Sequence, residues 1–197
     1  MPTSNRIILT DVDGILLEWE NHFTKWMISR GHELIPNHVP AYAMHTRFNL
    51  EENFVRKETR EFNKSAWMGT QPPILDSQTW VKLLHAEGWT FIPITSQTSD
   101  KPAQELRKKR LEELFGTKTF QNYFIFETGA SKDTALIEFH DTGLWWIEDK
   151  WTNALAGLKY GLKPLFYNHP YNQEYEHPNI TRVNNWEQIY KIISGKK

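Results

Sequence analysis

Two carboxylates one residue apart, Asp11 and Asp13, follow the short apolar run Ile7–Leu9. In an extended segment, residues i and i+2 point the same way, so both carboxylates are expected to converge on one small volume. Like charges that close raise each other's pKa unless a positive group lies between them. Mg²⁺ suits such a pair because it takes oxygen ligands and is usually held by one or two carboxylates. The segment therefore predicts a cation site at the end of a strand.

From residue 74 onward, strand patterns and helix patterns alternate. The predicted strands are Phe91–Thr95, Tyr123–Phe126, Leu144–Ile147 and Pro164–Tyr167, and the predicted helices begin near Ser77, Pro102, Thr152 and Trp186. This alternation predicts an α/β fold, in which a Rossmann-like parallel sheet is sandwiched by helices. One proline is unusual here: Pro93 cannot donate to a ladder, so it should lie in an edge strand or at a strand end.

Residues 18–73 interrupt this alternation with two helical patterns. The first is carried by aromatic and apolar residues at helical spacing: Trp19, Phe23, Trp26 and Met27. The second runs from Leu50 to about Phe62. We therefore predict a small, mostly helical cap over 18–73, inserted after the first strand, and an α/β core formed by 1–17 and 74–197.

Polar residues at the ends of the predicted strands can be collected into one site, because ligands of such sheets bind beyond the carboxyl ends of the strands. In chain order these residues are Asp11 and Asp13, Thr95 and Ser96, Lys132, and the pair Glu148 and Asp149 with Asn153 one helical turn later. Each group alone is also compatible with a turn or with a helix start. The four groups together favour an enzyme.

Carboxylate, hydroxyl, lysine and acidic pair, in this order, are the four motifs of the haloacid dehalogenase-like (HAD) hydrolases, and the chain resembles this superfamily over nearly its whole length. The resemblance implies that Asp11 is the nucleophile, which forms an aspartyl-phosphate. It implies that Asp13 is the general acid and base, and that Thr95 and Lys132 bind the phosphoryl group. Two neighbouring lysines remain alternatives for this last role: Lys118 and Lys150.

The resemblance also implies a bound Mg²⁺ ion. Its ligands would be Asp11, Asp149 and the backbone carbonyl of Asp13. Two further residues are expected to support the site, Glu148 by orienting the phosphate-binding lysine and Asn153 from the next helix. The acidic pair is Glu-Asp, whereas the superfamily more commonly has two aspartates at these positions.

Within the superfamily, the chain is most similar to the 5'(3')-deoxyribonucleotidases, in Asp11–Leu16 running into an aromatic-rich helix, in Leu111–Gly116 and in Asn185-Trp186. This similarity implies a nucleoside monophosphate as the substrate. The residues expected to bind it are Ser96, Trp19, Phe23 and Trp67. For most of the cap aromatics, the sequence favours a place in the cap's own core and its contact with the sheet over substrate binding. Three alternatives stay open: a phosphatase of sugar phosphates, a phosphatase of polynucleotide ends, and an aromatic-rich protein that only binds nucleotides or sugars.

Four basic residues in a row, Arg107–Arg110, lie within one predicted helix. Such a run could contact nucleic acid, which would suit a phosphatase of polynucleotide ends. The sequence favours a solvated helix face instead, because Lys108 with Glu112 and Lys109 with Glu113 are i,i+4 pairs of opposite charge.

The composition narrows the remaining classes. Lys and Arg number 23 and Asp and Glu number 24, so no net field favours a nucleic acid or a membrane. The chain has no cysteine, which excludes disulfides, thiolate catalysis and Cys-ligated zinc. Because no apolar run has the length of a signal peptide or a membrane span, we expect a cytoplasmic protein without a membrane partner or a stable nucleic-acid partner. The sequence leaves the oligomeric state undecided, including a homodimer.

Overall fold

The computed structural model describes residues 6–36 and 42–196. The strands in this part of the chain are β1 (Ile7–Thr10), β2 (Thr90–Ser96), β3 (Phe124–Phe126), β4 (Trp145–Glu148), β5 (Lys163–Tyr167) and β6 (Thr181–Val183). The α-helices are α1 (Trp19–Ser29), α2 (His45–Phe48), α3 (Glu52–Lys64), α4 (Ser77–Ala86), α5 (Lys101–Phe115), α6 (Asp133–Leu136), α7 (Trp151–Lys159) and α8 (Trp186–Ser194). None of these helices is long and apolar enough to cross a membrane.

The strands form one parallel sheet in the order β3-β2-β1-β4-β5-β6. Helices α4, α5 and α8 share one apolar cluster with the sheet, and α6 and α7 contribute to a second cluster with it. Both faces are therefore covered, which explains why strand residues such as Ile8, Leu9 and Ile147 form continuous apolar runs. The predicted α/β fold is confirmed. Strand β6 was not predicted, because its residues Thr181–Val183 include no apolar run and it is recognised only by its pairing with β5.

Pro93 lies inside β2, which has a neighbour on each side, so the expectation of an edge strand or a strand end is wrong. The N–H of Phe91 donates to the carbonyl of Thr119 on the β3 side, and residues two apart in a strand direct their N–H groups to the same side. The nitrogen of Pro93 therefore faces β3 as well. Since β3 pairs with β2 only from Ile94 onward, the missing donor falls in a gap of the ladder.

Residues 18–73 contain α1, α2, α3 and a short 3-10 helix, Ala66–Gly69. Their apolar faces pack against one another in a cluster of their own, formed mainly by Phe23, Met27, Met44, Phe48, Val55, Phe62 and Met68. Amphipathic helices need such a shared core because an isolated short helix is marginal in water. Residues 37–41 of the predicted cap lie outside the described residues.

The chain leaves the sheet and returns to it at one point. The N–H of Glu18 donates to the carbonyl of Pro72, and the N–H of Ile74 donates to the carbonyl of Leu16, each at 2.9 Å. The division into a core (1–17 and 74–197) and a cap (18–73) stays a prediction. It is supported by these paired backbone segments and by the separate apolar cluster of the helices.

The basic run of α5 differs from the predicted solvated face. Lys108 pairs with Glu105 at 2.7 Å and not with the glutamate four residues further on. The second expected pair, Lys109 with Glu113, spans 4.0 Å. Arg107 has no exposed surface at all and belongs to the buried face of the helix. The run is therefore split between water and the interior of the protein.

Candidate active site

The predicted site residues come from three adjacent parallel strands. Asp11 directly follows β1 and Asp149 directly follows β4, and the N–H of Asp11 donates to the carbonyl of Ile147 at 2.8 Å. Thr95 is one residue from the end of β2. Because β2, β1 and β4 run in the same direction side by side, their carboxyl ends open on one edge of the sheet. Residues far apart in sequence thus meet at this edge.

Lys132 precedes α6, and the N–H groups of Ala135 and Leu136 hold its backbone by donating to its carbonyl. Its Nζ lies 2.6 Å from Oδ2 of Asp11 and 2.8 Å from Oε2 of Glu148. Burial by itself would lower the pKa of Lys132, but the two carboxylates outweigh burial and the pKa is raised. The ammonium is therefore a fixed positive charge between two buried carboxylates.

Glu148 has no exposed surface, and both of its carboxylate oxygens are occupied. Oε2 accepts hydrogen bonds from Lys132 and, at 3.1 Å, from Nδ2 of Asn153. Oε1 accepts from the backbone N–H groups of Asp149 and Lys150 at 3.0 and 2.9 Å. With four donors, Glu148 holds Lys132 and Asn153 in place and has little capacity left for another ligand.

Asp11, Glu148 and Asp149 each offer a carboxylate oxygen, and these oxygens lie within 4.8 Å of one another. Burial, followed by the charge of Glu148, raises the pKa of Asp11 to about 8, although Lys132 opposes this shift. Burial and the charge of Asp11 raise the pKa of Asp149 to about 6. Lys132 bonds to only two of these three carboxyl groups, Asp11 and Glu148, so full ionisation of the cluster would leave it with excess negative charge. This oxygen donor set could hold a divalent cation, with Asp11 and Asp149 as the less occupied ligands.

Three residues surround the side chain of Asp149. The hydroxyl of Tyr171 donates to its Oδ2, and the ring of Tyr171 stacks on His169 with centroids 5.0 Å apart. Nε2 of His169 lies 2.7 Å from the carbonyl oxygen of Gly14. Gly14 has φ +77°, and a Cβ there would lie 2.4 Å from Oδ2 of Asp149, so only glycine fits at this close approach.

Asp13 lies in a different electrostatic environment from Asp11. Its Oδ1 is 2.8 Å from Nη1 of Arg107, a residue of α5 with a fully buried side chain. The backbone is not extended here, because the N–H groups of Leu16 and Leu17 both turn back to the carbonyl of Val12 at 2.9 Å. The charge of Asp13 still contributes to the raised pKa of Asp11, but less than burial and the charge of Glu148 do. Asp13 lines the same cavity as Asp11 but is not part of the buried acidic cluster.

A cavity of about 460 Å³ lies between the sheet edge and residues 18–73. Its wall includes Asp11, Asp13, Trp19, Tyr42, Arg56, Arg60, Asn63, Thr95, Ser96, Lys132, Asp149 and Asn153. The buried hydroxyl of Thr95 has no hydrogen-bond partner among the described residues, although buried polar groups normally have one. The hydroxyl of Ser96, in contrast, donates to the carbonyl of Ala130 at 2.8 Å. Thr95 is thus the free donor of the two.

No family model and no curated protein matches the sequence. Solved structures do match it. A haloacid dehalogenase-like family hydrolase, SP0104 from Streptococcus pneumoniae, is 14% identical with a TM-score of 0.65 over 96% of this chain and 99% of that one. A predicted phosphatase from Clostridium acetobutylicum is 16% identical with a TM-score of 0.68, over 97% and 99%. The chain has the HAD-like fold.

A third similar structure is D,D-heptose 1.7-bisphosphate phosphatase from B. bronchiseptica, complexed with magnesium and phosphate. It is 12% identical, with a TM-score of 0.61 over 98% of this chain and 99% of that one. At such low identity the likeness establishes the HAD-like fold and leaves the chemistry to be argued from the side chains of this chain.

The residues predicted to bind the substrate separate into two groups within this fold. Trp19 and Ser96 line the cavity. Phe23 is fully buried and stacks on Trp19 with ring centroids 4.9 Å apart, and Trp67 packs against His22 at the same distance. The structure does not bring Phe23 and Trp67 into the cavity wall, because they fill the apolar cluster that holds the helices of 18–73 together.

The three candidate lysines also separate. Lys132 contacts Asp11 directly. Lys150 lines the cavity, and its Nζ lies 5.4 Å from the centroid of the Tyr42 ring. Lys118 is exposed and is not part of the cavity wall. Of the three, Lys132 has the geometry of a fixed cation beside the carboxylate.

The predicted site did not include three residues that the structure places there: Arg107, His169 and Tyr171. The helical spacing held a signal for Arg107, which lies four residues after Ala103 and four before Leu111, on the buried stripe of α5. His169 and Tyr171 follow β5, so they also occupy a strand end. The sequence analysis did not include the end of β5 in the predicted site, because it carries none of the four motifs.

Proposed function

We propose that this protein is a Mg²⁺-dependent phosphomonoesterase that forms an aspartyl-phosphate on Asp11. The observation that carries the proposal is the buried 2.6 Å contact between Oδ2 of Asp11 and Nζ of Lys132, in a cavity whose wall also holds the unpartnered hydroxyl of Thr95. A carboxylate nucleophile, a fixed cation and a free donor are what phosphoryl transfer needs. Phosphatases among the solved structures with this fold support the proposal.

In the first step, Asp11 attacks the phosphorus and an Asp11 O–P bond forms while the P–O bond to the alcohol breaks. Asp13 donates its proton to the oxygen of the leaving alcohol. In the second step, Asp13 takes a proton from water, and the water oxygen attacks the phosphorus and releases inorganic phosphate from Asp11. Lys132 and Thr95 hold the phosphoryl oxygens throughout, the lysine as a point charge and the threonine as a hydroxyl donor.

Asp11 and Asp149, together with the backbone carbonyl of Asp13, are proposed to hold Mg²⁺. The excess of buried carboxylate over positive charge fits a divalent cation. When bound, the ion supplies positive charge for the phosphoryl oxygens. Without it, burial keeps the pKa of Asp11 at about 8, above neutral pH, so the ionised nucleophile depends on positive charge beyond that of Lys132.

The test is hydrolysis of p-nitrophenyl phosphate by the parent protein, with Mg²⁺ and with EDTA. We expect Mg²⁺-dependent turnover and a loss of about 10³-fold or more for Asp11→Asn, because the nucleophile is removed. Asp133→Asn is the matched control, since Asp133 is an acidic residue next to Lys132 whose side chain bonds to Ser131 and Tyr160 and does not line the cavity. Equal turnover by Asp11→Asn and the parent contradicts the proposal.

For the substrate, we propose a nucleoside monophosphate whose base stacks on Trp19. Phe23 stacks on the Trp19 indole, and Nε1 of Trp19 donates to Asn63 at 2.9 Å, so the ring is fixed in place where it lines the cavity. The basic run of α5 does not support a polynucleotide substrate, because Arg107 is buried and its neighbours pair with glutamates.

A sugar phosphate is the second candidate, favoured by the polar cap side of the cavity, where Arg56, Thr59 and Arg60 line the wall. A panel of deoxynucleoside monophosphates and sugar phosphates separates the two. We expect higher kcat/KM for the nucleotides and a selective loss for them in Trp19→Leu. Preferential cleavage of sugar phosphates contradicts the nucleotidase proposal, and nucleotide binding by calorimetry without any turnover would favour a binding protein.

A further inference from the structure

Arg107 is a charged residue on the apolar face of α5. Its side chain has no exposed surface and lies in line with the buried residues Ala103 and Leu111. Burial of a guanidinium is strongly unfavourable unless the charge is paired and its N–H groups are bonded. The position of Arg107 therefore calls for a partner that requires it.

The contacts of Arg107 identify this partner. Nη1 lies 2.8 Å from Oδ1 of Asp13, and Nη2 lies 3.3 Å from the thioether sulfur of Met68, a weak acceptor. Nε has no hydrogen-bond partner in the described part of the chain. Within that part, Asp13 is the one carboxylate bonded to this guanidinium. Asp13 is therefore the one strong hydrogen-bond acceptor for the N–H groups of Arg107 among the described residues.

Asp13 is held at one oxygen only. Oδ1 accepts from Arg107, and no hydrogen bond joins Oδ2 to another described residue. The side chain is 22% exposed and lines the cavity, whereas the guanidinium behind it is closed off from water. One oxygen is anchored from the interior, and the other stays available on the cavity side.

We propose that Arg107 is a positioning residue, which fixes the rotamer of Asp13 so that its free oxygen meets the oxygen of the leaving alcohol. This role depends on the proposed phosphatase function, in which Arg107 would act through Asp13 without contacting the substrate. An aspartate on a turn has several staggered rotamers, and proton transfer requires heavy atoms within hydrogen-bond reach. The buried ion pair selects one of these rotamers.

The test compares two aryl esters of similar shape, p-nitrophenyl phosphate and phenyl phosphate. The nitrophenolate leaves readily without a proton, whereas phenolate gains much more from protonation as it leaves. In Arg107→Met, we expect kcat/KM for phenyl phosphate to fall about tenfold more than kcat/KM for p-nitrophenyl phosphate, because general acid catalysis is lost selectively. A merely structural role would lower both values by the same factor.

Two further variants define the role of Arg107. Arg107→Lys keeps the charge but loses the planar guanidinium. Its ratio of kcat/KM for phenyl phosphate to kcat/KM for p-nitrophenyl phosphate should therefore lie between the ratios of the parent and of Arg107→Met. In an Asp13→Asn background, Arg107→Met should not change the ratio any further, because the residue acts through Asp13. The control is Arg110→Met, which removes a half-buried arginine of the same helix that bonds to the carbonyl of Gln71 at 2.8 Å.

An ester ratio that is unchanged in both Arg107 variants overturns the inference, and so does an equal loss for both esters. If Arg107→Met does not fold, the comparison of Arg107→Lys with the parent decides alone, and an unchanged ratio rejects the inference. Failure of the proposed function looks different: the parent then cleaves neither ester, or Asp11→Asn retains the parent's turnover.

Discussion

Asp11 and Asp13 are two residues apart, yet the protein gives them opposite surroundings. Asp11 belongs to a buried group of three carboxyl groups, Asp11, Glu148 and Asp149, of which Lys132 bonds to the first two. Asp13 is partly exposed and pairs one to one with the buried guanidinium of Arg107. Carboxyl groups outnumber the basic partners at the first site and match them at the second.

The difference matches two kinds of chemistry. An excess of buried carboxylate is unfavourable by itself and becomes favourable when a divalent cation is added, so the Asp11 side is built for a metal. A balanced ion pair needs no further ion and fixes a side chain in one orientation. Substitutions on the two sides should therefore have opposite consequences for stability.

Removing the shared lysine should have the largest effect. Lys132→Met leaves the carboxylates of Asp11 and Glu148 buried without their positive partner. We expect the free energy of unfolding in EDTA to fall by about 3–5 kcal/mol, the usual range for a broken buried ion pair. Urea denaturation measures it. Lys150→Met removes a cavity lysine that is not bonded to a carboxylate among the described residues, and a similar loss there would contradict the explanation.

Substituting Asp13 and Asp11 by asparagine should change the free energy of unfolding in opposite directions. Asp13→Asn leaves the buried Arg107 without its counter-ion, so we expect a loss of about 2 kcal/mol, reduced from the fully buried case by the exposure of Asp13. Asp11→Asn removes a carboxyl whose raised pKa destabilises the folded state at neutral pH, and should raise stability by about 1 kcal/mol in EDTA. Thermal unfolding of both variants without metal checks this. Destabilisation of similar size in both would remove the contrast.

Without metal, the raised pKa of Asp11 should make the stability of the protein depend on pH. The folded protein holds this proton up to about pH 8, whereas the ordinary pKa is 3.8, so between these values the folded state binds more protons than the unfolded chain. The free energy of unfolding therefore falls as pH rises through this window, and Asp149 contributes up to its pKa of about 6. In EDTA we expect the melting temperature to drop by about 5 °C between pH 5 and pH 8.

Two controls accompany this pH profile. Saturating Mg²⁺ should flatten it, because a cation favours the ionised carboxylates. Asp11→Asn should flatten its upper half, because the group that titrates there is gone. A melting temperature in EDTA that rises over the same pH range would contradict the raised pKa of Asp11.

The smallest effect is expected at Tyr171, whose hydroxyl donates to Oδ2 of Asp149. Groups that orient a metal ligand typically change metal affinity by about 10–100-fold, so Tyr171→Phe should weaken Mg²⁺ binding by about tenfold. Calorimetric titration with MgCl₂ measures it without turnover. Tyr175→Phe is the control, because Tyr175 stacks on Trp151 away from the cavity. Unchanged affinity in Tyr171→Phe would show that Asp149 needs no support from this hydroxyl.

Much of the architecture could be predicted from local pattern. The strands at Phe91, Leu144 and Pro164 and the helices between them follow from apolar runs and from helix caps, which act over a few residues. The edge strand β6 and the interior place of Pro93 could not be predicted, because both depend on which strands become neighbours. Strand pairing is a contact over long sequence distances that a local pattern does not contain.

Local patterns in the sequence were enough to predict the parallel α/β sheet and to place Asp11, Thr95 and Asp149 at one edge of it, because polar residues that follow apolar parallel strands lie at their carboxyl ends. The charges around these residues depend on the packed fold. A turn after β1 separates Asp13 from Asp11, and α5 then supplies a buried arginine from 94 residues away. Electrostatics depends on distances and burial, and both are fixed only when the helices pack on the sheet.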